Sequence, residues 1–136
     1  MEQVQYINPP GLHAAGYSNV VVVQGAVKTV YIGGQDAVNA KGEIVGIGDL
    51  GAQSRQALHN VEVALAAAGA KLENVIKWTI FIVQGQDLRA GYQAFQERWG
   101  NRPNIPIVTA AFVSGLARPE FLVEIDAIAV VPEKNE

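Results

Sequence analysis

Residues 121–131, FLVEIDAIAVV, decide how the rest of the chain is read. The stretch is apolar except for Glu124 and Asp126. Residues two apart on a strand point the same way, so both carboxylates fall on one face, between Leu122 and Ile128. A carboxylate is costly to bury unless something pairs with it or hydrogen-bonds it. One reading is a partly wet face whose acids accept bonds from backbone N–H groups or a neighbouring arginine. The other is a cleft in which one acid acts as a base or orients a water. Spacing alone favours the first. Neighbouring carboxylates also tend to raise one another's pKa.

Working outward, VVVVQG (20–25) and KTVYIGGQ (28–35) read as two strands joined by a tight turn near Gly25 and Ala26. The Gly- and Asp-rich residues 36–51 read as a loop. Asp49 suits the N-cap of a helix running to Ala68, with apolar positions at 50, 57, 58, 61, 65 and 68 and Gly69 as its stop. NVIKWTIFIVQ (74–84) is a strand with Trp78, Ile80 and Ile82 on one face and Lys77, Thr79 and Phe81 on the other. Asp87 caps a second helix with a stripe of Leu88, Tyr92, Phe95 and Trp99, stopped by Gly100. After the stiff RPNIP (102–106), IVTAAFVSG (107–115) and the opening stretch are the last two strands. Two helices cover one face of a single sheet. The apolar residues on the other face call for burial by neighbouring subunits.

Composition narrows the function. The 136 residues suit one domain, 1–136, and 49% of them are hydrophobic. No apolar run has the roughly 20 residues of a membrane helix, and the first ten residues lack the basic and apolar regions of a secretion signal, so a cytoplasmic location is expected. The absence of cysteine excludes disulfides, thiolate catalysis and Cys-based zinc sites. With 10 Lys+Arg against 13 Asp+Glu and no basic cluster, the chain has no electrostatic footprint for nucleic acid. GIGDLG (46–51) fits a glycine-rich phosphate loop only loosely, because no buried strand precedes it and Asp49 would face the phosphates. His13 and His59 stand far apart, outside any metal spacing, and no metal is expected. Ser18, Ser54 and Ser114 have no nucleophile-elbow context. Trp78 and Trp99 read as core or interface, since nothing basic interleaves with them.

The segments AAGYSNVV (14–21), YIGGQDAVNAKGEIVG (31–46), GAQSRQALHNVEVALAAAGA (51–70), VIKWTIFIV (75–83), YQAF (92–95) and LVEIDAIAVV (122–131), in this order, resemble the YjgF/RidA family, also labelled L-PSP endoribonuclease-like. The resemblance spans residues 5–131. It implies an α+β, chorismate-mutase-like single domain: a mixed β-sheet with two helices on one face, assembling as a barrel-cored homotrimer with clefts between subunits. It implies hydrolysis of small imines or enamines to a keto compound and ammonia, without a cofactor. Matched position by position, Glu124 is the water-handling acid and Tyr17 lines the cleft. Gly33, Gly34, Val108, Thr109 and Ala110 border the ligand, Gly34 and Ala110 through their backbone.

The family's P-x-R-[ST] arginine, which grips a substrate carboxylate, is Val108 in PIVT (106–109), and the family's serine before Gly-Gln is Gly33. Arg89 stands where relatives often have asparagine, and Arg89 and Arg102 are the candidates to supply the missing cation. A charged hydrogen bond contributes about 1.5–3 kcal/mol, so the loss should weaken selection of 2-imino acids by roughly tenfold to a hundredfold. The expected function is an imine or enamine deaminase-type hydrolase of a small organic substrate, with altered preference. The alternative is a non-catalytic ligand-binding or regulatory trimer. An endoribonuclease or translation inhibitor fits the acidic balance less well.

Overall fold

The computed structural model describes residues 3–133. Six strands and two helices follow in the order β1 (Val4–Ile7), β2 (Val20–Val23), β3 (Val27–Gln35), α1 (Leu50–Ala67), β4 (Val75–Val83), α2 (Leu88–Trp99), β5 (Ile107–Val113) and β6 (Val123–Pro132), with a 3-10 turn at Leu72–Asn74 before β4. The main sheet runs β3-β6-β4-β5. β4 and β5 are parallel, with α2 as their crossover, and the other pairs are antiparallel. The stretch that opened the sequence reading is thus an inner strand, bonded on both edges.

Strict alternation along β6 explains its place. Val123, Ile125, Ala127 and Ala129 are fully buried, while Leu122, Glu124, Asp126 and Ile128 are half-buried on the opposite face. The buried row faces α1, with Leu58, Val61 and Leu65 in the same core. Trp78, Ile80 and Ile82 of β4 join that side. Trp78 meets Phe95 of α2 edge-on, with ring centroids 5.4 Å apart and planes at 85°. Both helices therefore lie on one face, as the pattern predicts.

Three expectations change. The pattern predicts a turn joining β2 to β3; Gly25, at φ 81°, makes that turn, but the two strands belong to different sheets. β2 pairs with β1, through Val4 opposite Val23 to Ile7 opposite Val20, and β3 pairs with β6. β3 buries Val30 and Ile32 against the core, whereas the four valines of β2 are all half-buried and carry no alternation to choose a partner. β1 itself is only four residues long, too short for a sequence signal. The stripe expected on α2 is also rotated. Phe95 and Trp99 pack on the core, but Leu88 and Tyr92 are exposed, Tyr92 at 67%. The buried positions are the small Gly91 and Ala94. A Cβ on Gly91 would sit 3.5 Å from Leu50 Cδ2 and Ser54 Oγ of α1, so close helix approach sets the rotation.

The helix starts follow the sequence. Asp49 accepts from Ala52 N–H at 3.0 Å and fills the α1 terminus with its own carboxylate, so GIGDLG serves as a cap. Asp87 accepts from Arg89 N–H at 3.0 Å at the start of α2. Among the described residues no helix is long and apolar enough to cross a membrane.

Candidate functional site

The sheet face turned away from the helices carries the candidate site. Antiparallel register places Phe81 beside Glu124 and Thr79 beside Asp126. Parallel register extends these rows to Ala111 and Thr109 on β5. On the other side of β6, Tyr31 lies beside Ile128, 76% exposed. The face therefore sets Lys77, Thr79 and Thr109 and the apolar Tyr31, Phe81 and Ile128 around the two acids, with no helix over it.

Glu124 is placed by an irregularity in β3. Pairing with β6 slips between Ile32 and Gln35, so Gly33 and Gly34 bulge past the β6 edge. A Cβ on Gly34 would stand 2.7 Å from Glu124 Oε2, so any other residue there would collide with the carboxylate. Gly34 and Glu124 thus stand side by side. Thr109 is exposed beside Thr79 on the same face, two strands from Glu124. Ala110 pairs with Ile80, so it reaches this face only through its backbone.

Other predicted residues lie apart from Glu124. Val108 pairs with Trp78 and packs against the helix-side core, so its side chain does not share the Glu124 face. Tyr17 is 41% exposed in the loop between β1 and β2, outside the main sheet. Arg89 is 91% exposed and bidentate on Asp87, through Nη2 at 2.7 Å and Nε at 3.1 Å. That pair holds the Asp87 carboxyl down at about 2. Arg102 donates to the carbonyls of Arg98 and Trp99 at 2.9 and 2.8 Å and lies 3.9 Å from Glu73. Both arginines are committed within the helix layer, on the far side of the sheet. Neither of two surface grooves reaches Glu124. One, of about 650 Å³, is lined by Gln3, Val4, Gln5, Tyr6, Ile7, Asn104 and Pro132. The other, of about 480 Å³, lies along the helices beside Arg55, Gln56, His59 and Glu97. Among the described residues no three His, Cys, Asp or Glu side chains gather as a metal site.

Asp36, just beyond β3, is the residue that sequence reasoning missed. Burial, then the charge of Glu124 and a hydrogen bond with it, raise the Asp36 carboxyl from 3.8 to about 6. The acid that Glu124 acts on in this way thus follows β3 and lies outside residues 121–131. Only its position directly after Gly33-Gly34-Gln35 marks it in the sequence.

Most of the chain has known counterparts. A family model described as Endoribonuclease L-PSP matches residues 10–131. A RutC family protein of Pyrococcus horikoshii is 38% identical over 101 residues, 74% of this chain and 77% of the relative. A 2-iminobutanoate/2-iminopropanoate deaminase of Escherichia coli is 36% identical over 101 residues, 71% of this chain and 75% of the relative. The crystal structure of a Rid family protein of unknown function from Yersinia pestis matches with a TM-score of 0.83 at 31% identity, covering 96% of this chain and all of that one. With the fold, the glycine bulge and the central acidic strand in place, the chain belongs to the YjgF/RidA family, whose family model carries the name Endoribonuclease L-PSP.

Proposed function

We propose that this protein is a cofactor-independent hydrolase of small imines or enamines, working in clefts between the subunits of a homotrimer. The observation that carries the reading is Glu124, a half-buried carboxylate held against the Gly34 bulge on a sheet face that no helix covers. The similarity to the Escherichia coli deaminase supports the same chemistry. Glu124 accepts a hydrogen bond from a water and takes one of its protons as the oxygen attacks the C=N carbon. The π electrons move to nitrogen, which gains a proton. Collapse of the resulting carbinolamine forms C=O and releases ammonia.

Assembly follows from the same face. Tyr31, Phe81 and Ile128 leave apolar surface around the acids, and a neighbouring subunit covers it. Tyr17, Thr109 and the backbone of Ala110 then border the cleft at its rim. Sedimentation at micromolar concentration should give three times the monomer mass. A stable monomer would sink the trimer.

The substrate is less acidic than a 2-imino acid. Val108 is half-buried and packs against the helix-side core, and Arg89 and Arg102 are tied to their own helix layer. An amino-acid oxidase can generate a short-lived 2-imino acid in situ, beside a stable N-unsubstituted diaryl ketimine with no carboxylate. The expected result is hydrolysis of the uncharged imine, with the 2-imino acid at least about tenfold slower than with the Escherichia coli relative, for want of a charged hydrogen bond. Equal rates on the 2-imino acid would defeat the argument from Val108.

A further inference from the structure

The hydrolytic mechanism gives Glu124 work and leaves Asp126 without any. Asp126 shares its sheet face with one cation, Lys77 of β4. Lys77 lies opposite Ile128 and Asp126 opposite Thr79, so base and acid are diagonal neighbours across the two strands. Such neighbours stand about 7–8 Å apart, within reach of a lysine side chain. Both residues are half-buried. Yet among the described residues neither the Lys77 ammonium nor the Asp126 carboxylate has an ion-pair or hydrogen-bond partner, and every ion pair lies in the helix layer or its turns. Two such charges stay unpaired only while water reaches them. A subunit laid over this face removes that water, and an ion cut off from water is costly unless it is paired. A second copy of the same face carries the complement, one cation and one spare anion in each chain. Where copies meet head to tail in a closed ring, the cation of each faces the anion of the next and no charge is left over.

We propose that Lys77 of one subunit pairs with Asp126 of the next, and that these pairs set the register of the assembly. The inference rests on the homotrimer proposed above and names the contact that aligns its copies. Thr79 beside Asp126, and Thr109 beside Thr79, put two hydroxyls next to the pair, for the further hydrogen bonds that a buried ion pair needs. The two acids of residues 121–131 then have separate duties. Glu124 handles the water, and Asp126 handles the neighbour.

Charge reversal, read by sedimentation equilibrium, tests the pair. Lys77→Glu sets two anions against each other, and Asp126→Lys two cations. Each should weaken association of the subunits by about a hundredfold or more. The double variant, with both reversals in one chain, should assemble again. An equimolar mixture of the two single variants should reassemble in part, because two of the three contacts in a mixed ring join opposite charges. A pair closed within each chain would leave that mixture as weak as its components. If circular dichroism shows that a reversal unfolds the chain, Lys77→Gln and Asp126→Asn take its place. Each should weaken association about tenfold or more, and both together no more than either, since the second change removes a charge already stranded. Additive losses, or a mixture that fails to reassemble, overturn the pair. A trimer indifferent to both reversals overturns the pair alone. An unmodified protein that sediments as a monomer overturns the trimer, and the pair with it.

Discussion

Glu124→Gln is expected to lower kcat on an imine substrate by about 10²–10⁴-fold, the usual worth of a positioned acid–base group, while leaving the fold and assembly intact. Glutamine keeps the shape that fits beside Gly34, where no Cβ stands in its way. It removes the basic oxygen that takes the proton of the water. Asp126→Asn is the control. Asp126 shares the strand face but lies beside Thr79 and is not the carboxylate that Gly34 meets, so its loss should cost much less. Steady-state kinetics with circular dichroism and sedimentation on both variants make the comparison. Full turnover by a correctly folded Glu124→Gln protein would leave Glu124 a structural acid.

The second large effect is on stability. Gln53 is buried on α1 with 0% exposure, and one side chain closes three bonds. Its Nε2 donates to the carbonyls of Gly46 at 3.1 Å and Glu120 at 2.8 Å, and its Oε1 accepts from Leu122 N–H at 2.8 Å. It thus ties the turn before α1 to the chain entering β6, two residues ahead of Glu124. In Gln53→Leu the volume is nearly kept, but two carbonyls and one N–H lose their partner. At about 1–3 kcal/mol for each buried group left unsatisfied, with some rescued by water, roughly 3–6 kcal/mol should be lost. That is a large share of the roughly 5–15 kcal/mol that holds a domain folded. The urea midpoint should fall accordingly. A loss below about 1 kcal/mol would mean that water replaces the amide at little cost.

Much of this was legible in the residues. Asp49, Asp87, Gly69 and the apolar stripe of α1 gave the helices, because capping and periodicity are local properties. The alternation of residues 121–131 gave the two faces of β6, and the uncovered face pointed to the site. What stayed hidden was relational. Nothing in four consecutive valines says that β2 pairs with β1 rather than β3. Val108 is apolar wherever it points, and only the parallel register with Trp78 turns it towards the helix-side core. The acid whose carboxyl Glu124 raises is Asp36, which follows β3, so no spacing within residues 121–131 contains it.

The order of the sheet also has a kinetic meaning. β6, inner to the sheet, is made after the five other strands, and it bridges β3 to β4. Val30 must wait for Ala129, and Val75 waits for the same residue. Until residues 123–132 leave the ribosome, β3 and the β4–β5 pair have no common partner, and α1 has no completed floor to pack on. Closing so long a loop is paid before its contacts form, which slows folding and makes it depend on a late encounter. A nascent chain of this protein is therefore an unfinished sheet with two sticky edges, exposed to aggregation until β6 emerges.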